Sequence, residues 1–234
     1  MSNFVNYFNY IKKSVKKKGF IKTLIFIYRQ ISFDLKYNTD TKLPVDLVNL
    51  KIKDDSINFS FRYEGIDNII FESIIRKLSK AFINKGLFVD LGCGKGKALM
   101  IASKYFSEVI GIELSYEISK ICKYNIKQYF KKTSKKPNIN ILTCNARDYK
   151  IPVKANVFYF FNPFHETVIN SVLDNIEDSL KLEYRDIVII YAYAKYKNAF
   201  SKRNYRVLFS LNSDNKQINF YNDYGVYVYT NKHL

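Results

Sequence analysis

Apolar and polar positions alternate along this chain with two different periods. Mostly apolar runs, four to seven residues long, fall at 87–90, 108–113, 139–143, 156–161 and 186–192. Runs of that length predict strands buried on both faces. Between them, over 95–105, 115–131 and 165–182, apolar residues recur every three or four positions, and NIIFESIIRKLSKAF (68–82) does the same ahead of the first run. That period predicts helices, and alternation of strand with helix demands a doubly wound, parallel sheet. Beyond 192 the pattern changes. YRVLFSL and VYVYT are strand-like and separated by a polar stretch, which suits an antiparallel pair at the sheet edge. The predicted class is α/β, with seven strands, mostly parallel.

Residues 4–30 stand apart. Phe4, Phe8, Ile11, Val15, Phe20, Ile21, Leu24, Ile25 and Tyr28 keep helical spacing, beside six lysines and Arg29, with no acid. This predicts a basic amphipathic helical extension, broken at Gly19. Its lysines either dock on anionic lipid or an acidic partner, or point to water while the helix packs on its own domain. FDLKYNTDT (33–41) and the stretch to 65, with Pro44, read as a polar link. The expected organisation is an extension and link over 1–60 and one catalytic-sized domain over 61–234.

Composition changes this picture little. The formal charge is +17, which favours nucleic acid, acidic protein or an anionic membrane surface, although Lys, Asn, Ile and Tyr abound throughout as an AT-rich genome would give. No RNP, KH or zinc pattern is present. No apolar run reaches the roughly 18 residues of a membrane span, and the start lacks a small-residue cleavage site. Cys93, Cys122 and Cys144 are odd in number without CxxC spacing, so reduced cytoplasmic thiols are expected, and no metal site.

The chemistry concentrates in FVDLGCGKGK, 88–97, and in the following run VIGIE, which ends at Glu113. An apolar strand ends at Asp90, and glycines follow at 92, 94 and 96. A side chain there would keep a ligand off the backbone, and the helix that follows can turn its first amides to an anionic group. An acid ending the second strand, some 20 residues on, can accept both hydroxyls of a ribose. Together these form a nucleoside-binding βαβ unit.

The spacing D-x-G-x-G-x-G resembles motif I of class I S-adenosylmethionine (SAM) methyltransferases. The resemblance implies a Rossmann-like seven-stranded fold with SAM as cofactor, Asp90 and the Gly92–Gly94–Gly96 loop on its methionine part, and Glu113 on its ribose. Where that pattern places an acid for the adenine amino group, this chain has Asn145, whose amide oxygen also accepts; Asp148 is the alternative. Asn162, Pro163 and Phe164 follow the fourth strand, and they resemble a shortened Asn-Pro-Pro-Tyr motif of amino-group methyltransferases. By that resemblance Asn162, with the backbone near Pro163, aligns a nucleophile and Phe164 walls the pocket. His165 either moves a proton or starts the next helix. FDLKYNTDT, Tyr63, DLGCGKGK and NPF also resemble, in order, the signature of an uncharacterised bacterial family of class I methyltransferases, with Asn38 and Lys97 where that family has Gly and Arg. A weaker similarity runs to class I protein-lysine methyltransferases, and it implies that Tyr63 lines the SAM or substrate pocket.

The expected function is SAM-dependent methyl transfer to an amino group, of protein lysine or another amine, by a cytoplasmic protein that is peripheral at a membrane if its basic helix docks there. The alternatives are a non-catalytic SAM- or nucleic-acid-binding module, or a methyltransferase acting on RNA or a glycan- or lipid-linked acceptor.

Overall fold

The computed structural model describes residues 11–12, 15–16, 19–42, 66–82, 86–161, 164–211 and 225–232. Tyr63, Asn162 and Pro163 lie outside the described residues. Helix α1 (Phe20–Tyr37) and helix α2 (Asn68–Phe82) precede β1 (Leu87–Leu91). Then come α3 (Lys97–Ala102), β2 (Glu108–Glu113), α4 (Tyr116–Thr133), β3 (Ile139–Thr143), β4 (Ala155–Phe161), α5 (Glu166–Leu182) and β5 (Val188–Ala192). A short α6 (Asn198–Ser201) leads to β6 (Arg206–Leu211) and β7 (Val226–Thr230).

The seven strands form one sheet in the order β3-β2-β1-β4-β5-β7-β6. Neighbours among the first five are parallel, and β7 runs antiparallel to both β5 and β6. The expected edge pair is therefore split in role: β7 is inserted beside β5, and only β6 lies at the edge. The sheet is mostly parallel with helices on both faces, the Rossmann-like arrangement.

Alternation along each strand feeds two cores. Phe88 of β1, with Val157 and Tyr159 of β4, joins Phe71, Ile74 and Ile75 of α2 on one face. Leu87, Val89, Phe158 and Phe160 join Val172, Leu173 and Ile176 of α5 on the other. Much of the aromatic content fills these cores, as in the stacked Phe200 and Tyr229, 4.3 Å apart.

Two expectations change. FDLKYNTDT is not a link at its start: Phe33–Tyr37 continue α1, and Phe33 and Tyr37 are buried in the first core. The local polarity concealed this, because Asp34 is buried too and spends its oxygens on the turn that follows. The helix expected over 95–105 is only Lys97–Ala102. It starts late because Gly96 is left-handed, at φ 84°, and it ends in a tight turn in which Lys104 and Tyr105 donate to Ile101 and Ala102.

Candidate functional site

Parallel register brings the carboxyl ends of β1, β2 and β4 together: Asp90 pairs with Gly111 on one side and Tyr159 on the other. This is the end at which open α/β sheets bind ligands. The loop after β1 is set by backbone geometry. Gly92, Gly94 and Gly96 all have positive φ, at 84°, 53° and 84°. The Gly92 and Cys93 amides donate to the Ile112 carbonyl, each at 2.9 Å, tying the loop to β2. A Cβ on Gly96 would meet Cys122 Sγ at 2.6 Å, so conformation and space both require glycine there. Gly111, inside β2, answers the loop from below: a Cβ would meet Leu99 at 2.6 Å and Cys93 Sγ at 2.8 Å.

Glu113 is buried, and both its oxygens hold backbone. Oε2 accepts from Gly94 N–H and Oε1 from Ser115 N–H, each at 2.9 Å. Burial raises its pKa, while the amides of Ser115, Gly94 and Leu114 oppose the rise. A ribose placed there would share a carboxylate that already shapes the glycine loop. Asp90 is buried without such support: its Oδ1 has no hydrogen-bond partner. Burial, then the charge of Glu113, lifts its pKa well above the usual carboxylate range. An orphaned buried carboxylate beside a glycine loop fits the cationic end of a ligand.

A second device, not foreseen from sequence, holds the loop from outside. Asp34 Oδ1 accepts from the hydroxyls of Thr39 and Thr41, both at 2.7 Å, and its oxygens also take the amides of Thr41 and Lys42 at 3.0 Å. The turn passes through Asn38, left-handed at φ 55°, a conformation that Gly or Asn supplies with least strain. It delivers Asp40, whose Oδ2 accepts from Lys95 Nζ at 2.9 Å. Asn125 of α4 completes the latch. It accepts from the Asp40 amide at 2.9 Å and donates to the carbonyls of Asp40 and Lys95 at 3.1 and 3.0 Å. Lys97 is buried with Nζ 5.4 Å above the Phe33 ring. Burial lowers its pKa to about 8 against the charges of Asp34 and Asp67.

Other predicted residues fall as follows. Asn145, at the end of β3, accepts from Arg147 N–H at 3.1 Å and so caps the turn Ala146–Asp148; it is half-buried, and Asp148 is exposed. Phe164 is half-buried after β4. His165 is the N-cap of α5, with Nδ1 3.3 Å from Thr167 Oγ1, and its ring lies 5.7 Å from Tyr196. Around these, the ends of β4 and β5 and the start of β7 form an aromatic rim. Lys197 Nζ donates to Tyr227 Oη at 3.1 Å. Tyr193, which follows β5, is left-handed at φ 58° and donates its amide to Gly225. A bulky residue rarely adopts that conformation, and such strain gathers at functional sites. Nothing in YAYAKY announces it.

Residues 89–189 match the family model of the methyltransferase domain. Among solved structures, a candidate methyltransferase, yhhF, from Escherichia coli superposes with TM-score 0.55 at 14% identity, covering 82% of this chain and 99% of that one. A candidate methylase from Haemophilus influenzae gives 0.52 at 16%, covering 70% and 89%. CalS10, an amino pentose methyltransferase from Micromonospora echinaspora with SAM bound, gives 0.51 at 10%, covering 70% and 90%. At these identities the likeness is one of fold. Among curated proteins, none matches the sequence.

Proposed function

We propose that this chain, a SAM-dependent methyltransferase, transfers the methyl group to an amino nitrogen. SAM is its cofactor and supplies a methyl made electrophilic by the sulfonium. Asp90 and the Gly92–Gly96 loop would hold the methionine end, Glu113 the ribose and Asn145 the adenine; the orphaned oxygen of Asp90 fits the cofactor's positive charge. The nitrogen lone pair forms the new bond to carbon as the C–S bond breaks, and the nitrogen then loses its proton to water.

The observation that carries the amine is the segment Asn162-Pro163-Phe164 directly after β4, the strand paired with β1. Asn162 has a side-chain oxygen that can accept from an amine and fix its lone pair toward the methyl. Phe164, Tyr193, Tyr196 and Tyr227 supply faces for an amine's alkyl stem. Lys197, on the rim, suits an acceptor with negative charge beyond that stem.

Purified protein, methyl-labelled SAM and a cell lysate fractionated into protein, RNA, lipid and small molecules test this. The expected label survives mild base and appears, after acid hydrolysis, as a methylated amine. A base-labile label is a methyl ester, and it would overturn the amine. Asn162→Ala should bind SAM normally and transfer about a hundredfold more slowly. Transfer at the undiminished rate would reduce Asn-Pro-Phe to a turn.

A further inference from the structure

Helix α1 is apolar on two opposite sides. Its inner side buries Thr23, Phe33, Asp34 and Tyr37, and Arg29 is fastened to buried Asp67 at 3.3 Å. Its outer side leaves Phe20, Ile21, Leu24, Ile25, Tyr28 and Leu35 exposed, from 42% for Ile25 to 75% for Leu35. At about 100° per residue these six positions fall within an arc of about 140°, the width of a core-facing stripe, yet here it faces outward. A chain that had only to pack α1 on its own domain needs the inner side alone.

The charge along this part of the chain is one-sided. Six lysines lie between Lys12 and Lys22, and the first acid of the chain is Asp34, which is buried and bonded to its own turn. A second copy of the chain would set these lysines against themselves. Nucleic acid would meet the lysines but leave Ile21, Leu24, Ile25 and Leu35 without partners. A bilayer rich in anionic lipid takes both: phosphate headgroups the lysines, the acyl boundary the apolar stripe. Among the described residues no helix is long and apolar enough to cross a membrane, so α1 would lie in the plane of the surface.

We propose that α1 docks this protein on an anionic membrane surface, inserting Phe20, Ile21, Leu24 and Tyr28 among the lipids. The turn that ends α1 is the one that carries Asp40 to Lys95, so docking sets the glycine loop one turn of chain from the bilayer-bound helix. The proposal does not rest on the acceptor or on catalysis, since vesicle binding is read without SAM.

The test is co-flotation of the full chain with vesicles of equal parts phosphatidylcholine and phosphatidylglycerol, against phosphatidylcholine alone. Binding is expected only to the mixed vesicles, weakening as salt rises. The neutral variant Phe20→Ser/Leu24→Ser/Tyr28→Ser should partition about a hundredfold less, with SAM binding unchanged. Should that variant not fold, Tyr28→Ser alone, at a 73% exposed position, reads the same loss more weakly. Three results overturn the proposal: no binding by the unaltered chain, equal binding by the serine variants, or a self-association lost in those variants while vesicles are ignored.

Discussion

The two ends of the site are built by different means. On the side proposed for the cofactor, from β1 to β3, backbone sets the shape: three left-handed glycines, loop amides on Ile112, and a buried Glu113 that clasps the Gly94 and Ser115 amides. On the side proposed for the acceptor, from β4 to β7, side chains would do it: Phe164, Tyr193 and Tyr196, which follow β4 and β5, and Tyr227 of β7. One cofactor asks for one backbone shape, so its site admits few sequences. An acceptor pocket can be lined in many ways, and a tyrosine there looks like any other of the 20. The difference explains why a site of this class announces its cofactor and withholds its acceptor.

Breaking the backbone clasp should give the largest effect. Glu113→Ala leaves two buried amides unpaired and removes the acid proposed to hold the ribose. Each charge-assisted bond is worth about 1.5 to 3 kcal/mol, so SAM affinity should fall at least about a hundredfold, with a lowered melting temperature. Titration calorimetry and thermal unfolding read the two losses. Undiminished SAM affinity would show that Glu113 serves the loop alone.

The same contrast governs what could be read from the chain. Strands β2 and β3 begin and end where the apolar runs do, and β1, β4 and β5 deviate by at most two residues. Strands β1, β2, β4 and β5 are buried on both faces and so mostly apolar, while edge strand β3 buries only Ile141. The glycine loop between Asp90 and Glu113 was legible because its spacing is a backbone requirement: Gly92, Gly94 and Gly96 all take positive φ. FDLKYNTDT was misread, since Asp34 satisfies its buried charge with donors five to eight residues on, and Asp40 with a lysine 55 residues away. Local polarity carries no trace of such distant partners. Tyr193 was illegible altogether, because its strain lies in φ and not in residue type.

The halves should also separate by pH. Lys97, behind the glycine loop, has its pKa lowered from 10.5 to about 8, chiefly by burial. Between these values the unfolded chain binds more protons than the folded one, so folding stability rises with pH across that window. At lower pH the cost of burying the charged lysine is fully present. Tyr191, on the acceptor half, is raised to about 12 by burial, which removes stability only above its ordinary value near 10. Relative to Lys97→Met, the unaltered chain should therefore gain about 3 kcal/mol from pH 8 to 10.5, whatever the fixed offset between the two. Urea unfolding of both proteins over that range measures it. A constant difference would mean that Lys97 stays protonated, paired with Asp34 and Asp67.

The smallest expected effect sharpens the comparison most, because it asks whether the acceptor side holds strain for use. Tyr193 at φ 58° pays about 1 kcal/mol or more for a conformation that Asn adopts readily. If its ring is kept there to wall an acceptor, Tyr193→Asn should raise stability by about 0.5 to 1 kcal/mol while weakening the enzyme. The loss should appear in the acceptor's KM, with SAM affinity untouched, since β5 ends away from the glycine loop. The backbone bond from residue 193 to Gly225 is open to any residue, so the substitution isolates the ring and its strain. Unfolding free energy, SAM titration and acceptor kinetics on the one variant give three separate readings. A stability that falls instead would make the Tyr193 ring part of the packing, and the acceptor side would then be as structural as the cofactor side.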